Sequence, residues 1–185
     1  MKRATYLLPW LMLASPAQAQ TDLERGFAGA LRGCEEWVLN PASWAEGPGR
    51  FVATVGLGDQ MGLVDSADEV NLPPKELRVA NHFWRINSSI GAGYMLVVSS
   101  QLPMCHITGG GNTDLQPDIE RVLASDDFRS RWNETGSWSD NGLVSTNYTN
   151  AEEPSFSIVI SRADAAGGRL DRVQLLATAM FDMDD

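Results

Sequence analysis

The sequence predicts one α+β domain, a mainly antiparallel sheet with two helices packed on one face. Three observations carry this expectation. An apolar stripe at helical spacing opens the chain behind a leader, a second helix start follows a glycine run, and each helix is succeeded by short strand patterns broken at glycine and proline. The order helix, strands, helix, strands differs from the strict alternation of a parallel α/β sheet.

The first element is a leader. Lys2 and Arg3 precede an apolar run from Leu7 to Ala14, and Ala17-Gln18-Ala19 forms an A-x-A site before Gln20. That arrangement predicts a signal peptide over 1–19 and a single exported domain over 20–185, placing the protein in the periplasm or outside the cell. The apolar run is too short to span a membrane, and no later stretch approaches about 18 apolar residues.

The first helix follows. Leu23, Phe27, Leu31, Cys34 and Val38 recur at steps of three and four, Thr21 or Asp22 can cap the start, and Asn40-Pro41 ends it. Gly26, Gly29 and Gly33 weaken the helix in isolation by about 1 kcal/mol each relative to alanine, so close packing on a sheet must hold it. From Pro41 to Gly49 the chain reads as a loop carrying Trp44.

Strands are expected at Phe51 to Leu57, Met61 to Val64, Val79 to Asn87, Tyr94 to Ser99 and Met104 to Thr108. Gly109-Gly110-Gly111 then stops the sheet. Pro117 with Asp118 and Glu120 starts the second helix, whose apolar face is Ile119, Val122 and Leu123, extended by Phe128 and Trp132. Strands return at Gly142 to Tyr148, Ser155 to Arg162 and Val173 to Phe181, with Gly167-Gly168 in the last connection. A helix followed by three strands thus occurs twice, without residue-level repetition.

Composition narrows the functional classes. Loss of the leader takes Lys2 and Arg3 with it and moves the net charge from −10 to −12. An acidic chain without a basic block lacks the means to neutralise phosphates, which excludes nucleic acid as a partner. At 43% hydrophobic and 21% charged residues the chain has enough apolar matter for a core. In an oxidising compartment Cys34 and Cys105 pair most simply with each other as a disulfide.

No motif for catalysis, metal or cofactor stands out. Cys34, His82, Cys105 and His106 match no zinc spacing, and adjacent strand residues such as Cys105 and His106 point to opposite faces. No G-x-S-x-G elbow occurs, and the carboxylates at Glu35, Glu36, Asp65, Asp68, Glu69 and Asp126-Asp127 read as solvated acidic surface. Trp44 and Trp138, set among polar and glycine-rich residues, are the aromatics the core least needs. They are the expected ligand-binding pair, and their removal should cost little stability. The function that follows is a small exported accessory or binding domain for a small-molecule or protein partner, without catalysis or cofactor. The alternatives are a secreted hydrolase using His106 or His82, and a structural subunit of a cell-envelope complex.

Overall fold

Thr21 caps the first helix, α1 (Asp22–Leu39). Its hydroxyl accepts from the Glu24 amide at 3.1 Å, and the Glu24 carboxylate accepts from the Thr21 N–H at 3.3 Å, a reciprocal capping box. The computed structural model describes residues 20–168 and 173–181, so the leader expected at 1–19 and the acidic tail at 182–185 lie outside the described residues. Leu23, Phe27, Leu31 and Cys34 are buried as the stripe requires, and Trp37 occupies the last inward position while Val38 is only partly covered. The helix does lie close to the sheet: a Cβ on Gly26 would overlap the Ser88 hydroxyl.

One sheet of eight antiparallel strands forms the second layer: β1 (Met61–Val64), β2 (Asn81–Ser89), β3 (Ala92–Ser99), β4 (Met104–Gly111), β5 (Trp132–Asp140), β6 (Leu143–Asn150), β7 (Phe156–Ala163) and β8 (Leu175–Phe181). Their order is β1-β2-β3-β4-β8-β7-β6-β5. Each half of the chain therefore contributes helices and then four consecutive strands, and the halves meet at the central β4–β8 pair, where His106 lies opposite Thr178. The repeated pattern in the sequence is this two-halved sheet, with one more strand in each half.

Four further helices complete the described α content: α2 (Ala42–Ala45), α3 (Pro48–Val55), α4 (Gln116–Leu123) and α5 (Asp126–Arg131). The result is an α+β single-domain architecture. Strand alternation sends Trp84, Ile86, Leu96, Val98, Ile107, Tyr148, Ile158, Ile160, Ala177 and Ala179 into one core with Phe27, Leu31, Ile119 and Phe128 of the helices. Cys34 and Cys105 are disulfide-bonded with Cα atoms 5.5 Å apart, joining α1 to the central strand β4. Asp118 accepts from the Thr21 hydroxyl at 2.6 Å, and Arg121 pairs with both Glu24 and Asp118, so the start of α1 is tied to α4. Among the described residues no helix is long and apolar enough to cross a membrane.

Four local expectations are corrected. The strand expected over Phe51 to Leu57 is α3, because Phe51 and Val55 use an i, i+4 spacing to reach the core. Pro48 starts this helix and Gly56, left-handed at φ 75°, stops it. Within the loop expected from Pro41 to Gly49, α2 forms a single turn. The glycine run does not stop the sheet, since β4 continues to Gly111 and the Tyr94 ring lies so close that a Cβ on Gly109 would come within 2.7 Å of it. Finally, α5 ends at Arg131 and Trp132 opens an edge strand absent from the sequence reading. Only Trp132 of β5 is buried, so its polar residues carry almost no strand signal.

Candidate functional site

The helices cover one face of the sheet; the second face is partly overlaid by the connection between β1 and β2, residues 65–80. Two hydrogen bonds anchor that connection: Thr108 Oγ1 donates to Asn71 Oδ1 at 2.8 Å, and Ser99 Oγ donates to the Val79 carbonyl at 2.6 Å. Between the segment at Val70-Asn71 and strands β2 to β4 an open groove of about 450 Å³ remains. Its floor is set by register. Arg85, Met95 and Thr108 are cross-strand partners in one row, and Asn87, Gly93 and Gly110 form the next. The groove continues to Ser89, Gly91 and Asn112 at the β2–β3 hairpin. The four steps along a strand from Arg85 to Ser89 give it a length of about 13 Å.

The groove is a set of unused donors. The Arg85 guanidinium is exposed and has neither a hydrogen bond nor an ion pair with any described residue. Asn71 spends its carbonyl oxygen on Thr108, which leaves its amide NH2 free. The side chains of Asn87 and Asn112 are likewise unpaired among the described residues. Among the described residues no carboxylate lines the groove, although the chain has 24 acidic residues. One shoulder is apolar, with Val70 half exposed. Row two carries no side chain on β3 or β4, so a ligand can approach the main chain there.

Sequence reasoning missed this site. Its polar residues come from the β1–β2 connection, three strands and a turn, and no local spacing relates them. The available signal was in β2, where Phe83, Arg85 and Asn87 alternate with buried Trp84, Ile86 and Ser88. That pattern marks a strand with one covered and one polar face.

The histidines occupy different surroundings. His106, 1% exposed, lies beneath the same connection with Nδ1 2.8 Å from Thr178 Oγ1, and its Nε2 has no partner among the described residues. Burial, with a smaller contribution from the Arg78 cation, pushes its pKa down to about 4. His82 packs on the helix side against Trp37, ring centroids 5.3 Å apart. Among the described residues neither histidine is hydrogen-bonded to a serine or carboxylate.

A pH dependence follows. The folded-state pKa of His106 is depressed below the ordinary value of 6.5, so folding favours the neutral ring. The associated stability is present above pH 6.5 and is lost as pH falls toward 4, by about 3 kcal/mol in all. Urea denaturation of wild type and His106→Gln at pH 7, 5.5 and 4 should show a distinctly shallower decline in the variant. Parallel declines would contradict this origin.

Trp44 and Trp138 are not brought together. Trp44 stacks on Trp37 at 4.6 Å and 8°, and its Nε1 donates to the Trp37 carbonyl at 2.9 Å, so it closes the end of α1. Trp138 is 52% exposed on β5, opposite Ser145 at the far edge of the sheet from β1.

One acidic residue expected at the surface is instead enclosed. Glu35 lies in a cleft of about 370 Å³ with Asp127, Arg131 and Asn150. Burial raises its pKa while Arg131 opposes the rise. Arg131 pairs with both Glu35 and Asp127, and Asn150 donates to Glu35 at 3.5 Å. The arrangement joins α1, α5 and β6, and its cation is already engaged. Among the described residues no group of three or more histidine, cysteine or acidic side chains is placed to hold a metal ion. Comparison of the chain with protein-family models, with curated proteins and with solved structures finds no match.

Proposed function

We propose that the protein is an exported binding module whose ligand occupies the groove between the β1–β2 connection and strands β2 to β4. The observation that carries this reading is the division of labour between the two faces. The helix-covered face contains the apolar core, whereas the other face retains a groove where, among the described residues, Arg85 is unpaired and three asparagines have unused amide donors. Concave sites with a few convergent polar groups are where small ligands bind. Export is supported by the charged start, the apolar run and the A-x-A site at 1–19, and a disulfide accords with an oxidising compartment. A hydrolase using His106 or His82 would need a serine or carboxylate bonded to the ring, and among the described residues neither histidine has one. The envelope-subunit alternative has no comparable observation in its favour.

The test is an NMR screen of the isotope-labelled mature protein, residues 20–185, against a library of small polar fragments. Hits should move the amide resonances of Asn87, Gly93, Gly110 and Asn112 together. Hits confined to Trp138 and Ser145 would move the site to the opposite edge, and turnover abolished by His82→Ala or His106→Ala would replace the binding reading with an enzymatic one.

A further inference from the structure

Resting on the groove as the binding site, we infer that its ligand is the C-terminal end of a short extended peptide, with the terminal carboxylate held by Arg85. Charge comes first. In an acidic chain most of the surface repels anions, and many of the arginines are already engaged: Arg25, Arg50, Arg78, Arg121, Arg131 and Arg162 all have acidic partners. Among the described residues Arg85 has none, and no carboxylate of those residues lines its groove. A guanidinium in that setting matches a carboxylate with two parallel N–H donors, a geometry that a neutral end group cannot use.

Shape selects the rest of the ligand. The trough runs along the strands for about 13 Å, the length of about four extended residues. At Gly93 and Gly110 its floor is bare main chain, which lets a flat backbone approach. Side-chain amides of Asn71, Asn87 and Asn112 border it; Asn87 and Asn112 can pair with peptide N–H and C=O groups, and the Asn71 NH2 can donate to a C=O. Val70 stands exposed at one shoulder and Met95 lies on the floor, where they offer apolar contact to side chains of an extended ligand. Inorganic anions would satisfy Arg85 but would leave the amides and the apolar shoulder at Val70 unused.

The experiment compares two probes on the mature protein: an equimolar library of N-acetylated tripeptide acids, and the same library as C-terminal amides. Binding is read from the groove amides and the Arg85 Nε–H resonance. The acids should bind at least tenfold more tightly than the amides, and Arg85→Gln should abolish that difference while leaving the resonances of the helix-covered core unchanged. Sodium acetate and inorganic phosphate at equal concentration should shift Arg85 without shifting Asn71, Asn87 and Asn112. Equal binding of acids and amides in the groove would overturn carboxylate recognition while sustaining the groove as a binding site. Shifts confined to residues outside the groove would overturn both. No shift with either library would overturn the peptide assignment, leaving the fragment screen as the separate measure of the groove itself.

Discussion

Replacing Cys34 and Cys105 together with alanine should lower the unfolding free energy by about 4 kcal/mol, the chain-entropy expectation for a bridge spanning 71 residues. The location makes a large effect natural. Both cysteines are fully buried, one in the middle of α1 and the other on the central strand β4, so the bridge joins the principal helix directly to the sheet. Its contribution also offsets a helix weakened by three glycines, each of which is needed where neighbouring side chains come close. Guanidinium denaturation of wild type and the double variant gives the difference. A loss below about 1 kcal/mol would mean that packing alone holds α1 to β4 and that the unfolded chain is little constrained by the link.

Regular elements were legible in the sequence to the extent that their residues alternate or repeat against one core. The α1 stripe, the Thr21 cap and the strands β2, β3, β4, β6, β7 and β8 were expected, because one face of each is apolar. Their partners were also constrained, since two buried-stripe helices and many short strands admit few layered arrangements. Where burial is slight the signal fails. In β5 the first residue alone is buried, and α3 combines the β-branched and aromatic residues of a strand with a helical i, i+4 spacing. Glu35 was read as surface because its concealment depends on Arg131 and Asn150, about a hundred residues away along the chain. The groove was hidden for the same reason. Arg85, Asn71 and Asn112 acquire meaning only when β3 and β4 pair beside β2 and residues 65–80 fold across them.

Trp37→Ala should destabilise the protein by about 3–5 kcal/mol, the cost usual for removing a buried tryptophan. The sequence stripe passes beside this residue, ending on Val38, yet Trp37 is the hub of the aromatic cluster. Its ring is 5% exposed, stacks on Trp44, meets Phe51 edge-on at 5.0 Å and lies 6.5 Å from Trp84. Its Nε1 donates to the Ser99 carbonyl at 2.8 Å, linking the end of α1 to the end of β3. Trp37→Phe keeps much of the apolar contact and loses the donor, so it should cost about 1–2 kcal/mol. Trp44→Ala tests the other side of the stack. An exposed ligand anchor would leave stability nearly unchanged on truncation, whereas a ring stacked on Trp37 and bonded to its carbonyl should cost about 2 kcal/mol. Urea titrations followed by circular dichroism separate these cases without relying on the altered tryptophan fluorescence. If Trp37→Ala and Trp44→Ala both lose less than about 1 kcal/mol, the cluster does not hold α1 in place, and Trp44 becomes available again as a binding residue.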